Sequence, residues 1–121
     1  MELHVIDEKF TVCKLADSSG VDLNSPWTFF SRTDEEISLV CPADRVPGNT
    51  LAREDDWRAF RVQGVLDFSL VGILAEISRI LADGGISLFA VSTYNTDYIL
   101  IKEQEFDRAL ALLKQSGCRI H

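Results

Sequence analysis

Hydrophobic and polar positions in the second half of the chain alternate between strand spacing and helix spacing. A period of two predicts a strand over Trp57–Gln63, and a period near 3.6 predicts a helix over Leu70–Ala82. Further strand and helix patterns follow in the order strand, strand, helix, strand, at Ile86–Thr93, Tyr98–Lys102, Phe106–Leu113 and Cys118–Ile120. The pattern therefore predicts an α+β fold in which two helices pack on an antiparallel sheet.

The β-α-β-β-α-β order is that of the ferredoxin-like, or split βαβ, unit. The N-terminal half contains three more strand patterns but no helical one, over Lys9–Leu15, Trp27–Thr33 and Ile37–Cys41. Residues 44–56 carry Pro, Gly and a charge cluster, which is typical of a linker. We therefore predict two units in tandem, a truncated one with its linker over residues 1–56 and a complete one over 57–121.

A faint internal repeat supports the tandem arrangement. Phe30–Val40 can be laid over Val91–Ile101, since both read as strand, polar bend and strand. The first copy lacks a counterpart of the helix at Leu70–Ala82.

The start of the first helix in the complete unit is a candidate binding element. Ser69 is the expected N-cap and residues 83–85 the expected C-terminal stop, so Gly72 falls inside the first turn. A glycine there is explained by close approach of a ligand or by tight packing of helix on strand, and the sequence favours neither. The amides of the first turn lack intrahelical partners, so a small anion can dock on Asp67–Ile73.

A second polar cluster, Ser92–Asp97, lies on the bend between two apolar strands. Asn and Asp are favoured in turns, so a plain hairpin explains part of this composition. In a split βαβ unit, however, the end of the second strand lies beside the start of the first helix. The two polar segments should therefore converge, which favours a site for a small anionic or zwitterionic molecule.

Composition excludes several other classes. The net charge of −7 argues against nucleic acid, and no apolar run approaches the ~20 residues that span a bilayer. The three cysteines have no zinc spacing and are expected to be reduced in a cytoplasmic protein. The two histidines lie near the termini, at His4 and His121, without a nucleophile or metal-ligand partner in the sequence pattern. We expect no cofactor, no metal and no catalytic residue.

Three segments resemble the ACT domain, an amino-acid-binding module of the ferredoxin-like class. They are Phe30–Pro42, Leu66–Leu74 and Gly85–Leu100, together with Trp57-Arg58. The resemblance is strongest to stand-alone bacterial proteins with two tandem ACT units, and it extends to the cytosolic arginine sensors, which carry four. It implies a homodimer that holds its ligand between ACT units.

The resemblance also implies a set of ligand-binding residues, at the helix start and the hairpin end: Asp67, Phe68, Gly72, Ile73, Ser92, Thr93, Tyr94 and Asp97. The backbone of Gly72 and Ile73 would contact the carboxylate or amine of an amino acid. Asp97 matches the acid that faces the guanidinium in the arginine sensors, and a carboxylate suits a cationic side chain through charge-assisted bonds.

The predicted function is thus a cytoplasmic, non-enzymatic regulatory protein that binds an amino acid, with basic amino acids among the candidates, and acts on an unidentified downstream protein. Two alternatives stay open. One is a structural or protein-interaction module that has lost its ligand. The other is a small enzyme in which Asp97 and Tyr94 act as an acid–base pair.

Overall fold

The computed structural model of the chain describes residues 1–64 and 72–121. Within them the chain forms seven strands and two α-helices. The strands are β1 (Glu2–Leu15), β2 (Phe29–Arg32), β3 (Ile37–Pro42), β4 (Thr50–Val62), β5 (Phe89–Ser92), β6 (Asp97–Lys102) and β7 (Arg119–Ile120). The helices are α1 (Ile73–Asp83) and α2 (Glu103–Gln115), with a short 3-10 helix at Ala43–Arg45. The predicted α+β fold with two helices on a mainly antiparallel sheet is confirmed.

The chain divides into two compact units, which share the long strands β1 and β4. The helical unit contains residues 1–7 and 58–121, and the strand unit contains residues 8–57. The predicted linker is only partly irregular, since Thr50–Asp56 belongs to β4. The proposed boundary between ACT units, 1–56 and 57–121, stays a prediction.

The helical unit has the strand order β5-β6-β4-β1-β7. The last strand of a split βαβ unit normally lies beside the first, here β4. That place is taken by the start of β1, where the Gln63 amide donates to the Glu2 carbonyl at 2.8 Å. The strand predicted at Cys118–Ile120 is shorter and pairs in parallel with β1, Leu3 lying opposite Ile120.

Both helices bury one face against this part of the sheet. Ile77, Ile80 and Leu81 form the buried face of α1, as its helical spacing requires. On α2 the buried face consists of Phe106, Ala109 and Leu113. Strand residues such as Leu3, Phe60 and Ile99 complete the same hydrophobic cluster. Ala90 of β5 and Ile101 of β6 pack in this cluster too, so both strands of the hairpin share a core with α1.

The strand unit has the strand order β2-β3-β1-β4. Both β1 and β2 pair antiparallel with β3. Its core consists of Cys13, Leu15, Leu39 and Cys41. None of residues 16–28 is helical, and the 3-10 helix follows β3 where α2 follows β6. The loop after β1 is held by Asp17, whose carboxylate accepts bonds from the Ser19 amide and hydroxyl and from Asn49.

The two hairpins correspond, but one residue out of the register predicted from sequence. In β2–β3 the last pair before the loop is Arg32 with Ile37, and in β5–β6 it is Ser92 with Asp97. Arg32 therefore corresponds to Ser92, whereas the overlay of Phe30 on Val91 put Ser31 there. The register predicted from sequence was wrong by one residue, because residues 39–41 and 99–101 are consecutive apolar residues that still match after such a shift.

Candidate functional site

The loop end of the β5–β6 hairpin carries the predicted carboxylate. Ser92 ends β5, Asp97 begins β6, and the two face each other across the strands. The Ser92 hydroxyl donates a hydrogen bond to Asp97 Oδ1 at 2.6 Å. Ser92 is exposed and Asp97 is half-buried, so the carboxylate is held at the surface in a defined orientation. A carboxylate fixed in this way can accept bonds from a cationic ligand group.

The loop between these residues is closed by Thr93. Its amide donates to the Thr96 carbonyl at 2.9 Å, and its hydroxyl lies 3.0 Å from the same oxygen. The Thr96 amide is in turn 3.4 Å from Thr93 Oγ1. Tyr94, at the tip, is 78% exposed. The predicted residues Ser92, Thr93, Tyr94 and Asp97 are thus brought together on one hairpin end.

Thr96 was not among the predicted site residues, yet it joins the hairpin to β4. It is only 6% exposed, and its hydroxyl donates to the Val62 carbonyl at 2.6 Å. Val62 is the last residue of β4, the strand from which the chain continues towards α1. The end of β4 therefore lies beside the β5–β6 loop. A threonine in a polar turn gives no sign of burial, so the sequence offered no signal for this contact.

The start of α1 differs from the prediction at Gly72. Gly72 is the N-cap and not a residue of the first turn; its φ of 88° is left-handed, and its carbonyl accepts the Glu76 amide. A Cβ on Gly72 would have no described atom within 4 Å, so tight packing does not account for this glycine. The positive φ does, because residues other than glycine rarely adopt it. The expected N-cap Ser69 lies outside the described residues.

The remaining predicted residues fall on either side of this cap. Ile73 begins α1, is half-buried and packs against the helical unit's core, which leaves its backbone as the part suited to a ligand. Asp67 and Phe68 lie outside the described residues. Their role, like that of the whole predicted set, stays a prediction.

The corresponding hairpin of the strand unit has different chemistry. Thr33 closes its loop as Thr93 does, its amide donating to the Glu36 carbonyl at 2.9 Å. Arg32 stands in the place of Ser92, and Ile37 in the place of Asp97. The last residue pair before this loop is therefore an arginine and an isoleucine, whereas in the helical unit it is a serine and an aspartate.

Three cysteines are the chain's other candidate reactive groups. Burial raises the pKa of the Cys41 thiol to about 11, and burial also raises the pKa of the Cys13 and Cys118 thiols. Among the described residues, no group of three or more His, Cys, Asp or Glu side chains is placed to hold a metal ion. An open cleft of about 260 Å³ lies between the C-terminal ends of α1 and α2, lined by residues such as Arg79 and Leu112.

Comparison with known proteins identifies the class to which this fold belongs. The ACT domain family matches residues 52–115, and the chain belongs to that family. The resemblance inferred from sequence is confirmed. Of the helices in the described ranges, neither is long and apolar enough to cross a membrane.

Among named relatives, the chain is similar to the cytosolic arginine sensor for mTORC1 subunit 1. It is 31% identical to the protein of Rattus norvegicus over 93% of this chain and 37% of that protein. Identity to the Homo sapiens protein is 32%, over 84% of this chain and 33% of the sensor. The chain thus spans little more than a third of the length of these relatives.

Solved structures share the fold. A crystal structure of an Agobacterium tumefaciens protein matches with a TM-score of 0.86 and 26% identity, over 99% of this chain and 91% of that chain. The aspartate kinase of Clostridium acetobutylicum matches with a TM-score of 0.63 and 13% identity, over 88% of this chain and 32% of the kinase.

Proposed function

We propose that the protein is a regulatory ACT protein that binds an amino acid with a cationic side chain. The side chain would meet the Asp97 carboxylate, and the α-carboxylate or amine would meet the backbone at Gly72 and Ile73. The observation that carries the proposal is the Ser92–Asp97 pair, a carboxylate held at the exposed end of a hairpin.

The link between hairpin and β4 supports this arrangement. Because Thr96 bonds to the Val62 carbonyl, the chain leaves β4 next to the loop that bears Asp97. It enters α1 through Gly72, whose left-handed backbone marks the helix start. Free amides at a helix start favour negatively charged ligand groups, and a carboxylate favours positive ones. A zwitterion with a basic side chain satisfies both.

The relatives support the choice of ligand. Most of this chain matches part of a sensor that is named for arginine. L-Arginine and L-lysine are therefore the first ligands to test. We further propose a cytoplasmic protein without catalysis of its own, whose ligand-dependent surface acts on a downstream protein.

Tandem ACT units and a homodimer complete the proposal. The strand unit has the strand order expected of a truncated copy, and its hairpin repeats the Thr93 turn at Thr33. Among the described strands, β2 and β5 lie at the two ends of the strand order, where a strand of another chain could be added.

A thermal-shift screen with the twenty amino acids tests the proposal. A ligand at a hundred times its Kd should stabilise the fold by about 2.7 kcal/mol. We expect L-arginine or L-lysine to give the largest increase in Tm, with neutral amino acids of similar size giving less. An unchanged Tm with all twenty at millimolar concentration would favour a module without a ligand.

Light scattering tests the homodimer separately. The expected mass is twice the chain mass of 13.6 kDa, with or without ligand. A mass of 13.6 kDa at micromolar concentration would contradict the dimer and leave the ligand proposal to the thermal-shift screen.

A further inference from the structure

We propose that Thr96 is a positioning residue of the amino-acid site: its hydroxyl ties the loop that bears Ser92 and Asp97 to the end of β4. This inference rests on the proposed function. It adds a residue that the ligand need not touch but on which the affinity depends.

The first support is the burial of a hydroxyl in an otherwise exposed loop. Residues 92–95 are exposed, whereas Thr96 is 6% exposed and its Oγ1 lies 2.6 Å from the Val62 carbonyl. A buried hydroxyl without a partner would cost free energy, so this bond fixes the side chain in place. Thr96 directly precedes Asp97, so its position sets where β6 and its carboxylate begin.

The second support comes from the equivalent hairpin in the strand unit. There the Thr33 turn closes the loop with the same kind of bonds, and the residue in the place of Thr96 is Glu36, which is exposed. A closed loop of this type therefore does not require a buried hydroxyl at this position. The bond from Thr96 to Val62 adds something else, namely a fixed distance between the loop and the strand that leads to α1.

That fixed distance matters because the proposed site has two parts on different segments. Asp97 follows Thr96, and the chain that reaches Gly72 follows Val62. One hydrogen bond thus joins the residue before Asp97 to the end of β4, ten residues ahead of Gly72 in the sequence. A binding site whose parts are held before the ligand arrives loses less entropy on binding. Removing the hydroxyl should then weaken binding more than a loss of overall stability explains.

The test uses calorimetric titration of the full chain with L-arginine and L-lysine. We expect Thr96→Val to raise the Kd by about tenfold, the size of one lost hydrogen bond to a buried group. Thr96→Ser retains the donor and should stay within about threefold of the wild type. Thr96→Ala should lose affinity like Thr96→Val. It places no branched side chain against the Val62 carbonyl, so it serves as the second variant if Thr96→Val does not fold.

A matched control separates positioning from stability. Thr11 is also a buried threonine, and its hydroxyl donates to Asp55 at 2.7 Å in the strand unit. Thr11→Val should lower the Tm but leave the Kd unchanged. Wild-type affinity in both Thr96→Val and Thr96→Ala, or equal loss in Thr11→Val, would overturn the inference while the proposed function stands. A wild type that binds neither amino acid would overturn both.

Discussion

The Ser92 hydroxyl donates to Asp97 Oδ1 at 2.6 Å, across the last residue pair of the β5–β6 hairpin. This short bond to an ionised acceptor is of the charge-assisted kind and fixes the rotamer of the carboxylate. The carboxylate is thereby oriented before any ligand is present. In the corresponding hairpin Ile37 stands in the place of Asp97, so its last residue pair before the loop contains no carboxylate.

Removal of the Ser92 hydroxyl should weaken ligand binding without unfolding the protein. We expect Ser92→Ala to raise the Kd for L-arginine by about three- to tenfold, since the carboxylate loses one bond of about 1 kcal/mol that orients it. Ser31→Ala, a substitution of an exposed serine on the other hairpin, is the control and should leave the Kd unchanged. Equal Kd values for the two variants in a calorimetric titration would contradict the role of Ser92.

The backbone at Gly72 predicts a particular order of stabilities. Because φ is 88° and a Cβ would meet no described atom within 4 Å, a side chain there costs strain and not a clash. Gly72→Ala should lower the free energy of unfolding by about 1 kcal/mol, and Gly72→Asn by less, since asparagine tolerates the left-handed region. Urea unfolding measures both. A Gly72→Ala variant as stable as the wild type would contradict the left-handed backbone conformation of Gly72.

Gly84 permits α2 to approach the end of α1. A Cβ at Gly84 would lie inside contact distance of Leu112 Cδ1, whereas one at Gly48 would meet nothing within 4 Å. We expect Gly84→Ala to cost about 1 kcal/mol through displacement of Leu112. Gly48→Ala should change stability by less than about 0.5 kcal/mol. In a Leu112→Ala background the cost of Gly84→Ala should largely disappear, and a double-mutant cycle without coupling would contradict this contact.

The buried Cys41 thiol predicts a loss of stability in alkaline solution. Burial raises its pKa from 9.0 to about 11, so the unfolded chain releases the proton first as pH rises. The stabilisation is fully present below about pH 9 and is lost as pH rises through about 11, which lowers the free energy of unfolding by at most about 3 kcal/mol. Unfolding in urea between pH 8 and 11 should show a shallower decline for Cys41→Ala than for the wild type. Parallel curves would contradict the raised pKa.

The hydrophobic period was sufficient to predict the helices and the hairpins. Its predictions of α2 and β6 were accurate because long amphipathic patterns and strands bounded by turns depend on local sequence. The pairing of β7 with β1 was not predicted, since it joins residues at the two ends of the chain. Nor did the pattern specify which residue caps α1, because a glycine's positive φ leaves no trace in hydrophobic spacing.

The candidate site was predicted in part for similar reasons. Asp97 and Ser92 stand out as polar residues on a bend, and the structure joins them directly. Thr96 has the same polar character in the sequence, and only the position of the Val62 carbonyl distinguishes it. Burial of a turn residue depends on a strand 34 residues away, which no local pattern encodes.

Recognition of a cationic side chain by Asp97 is tested most directly by calorimetric titration with L-arginine and with L-citrulline, its neutral analogue of the same shape. The wild type should bind L-arginine at least about tenfold more tightly, the size of a charge-assisted bond. Asp97→Asn should abolish this preference, while Asp34→Asn, in the loop of the other hairpin, should retain it. Equal affinity of the wild type for the two ligands, or an unchanged preference in Asp97→Asn, would contradict the account.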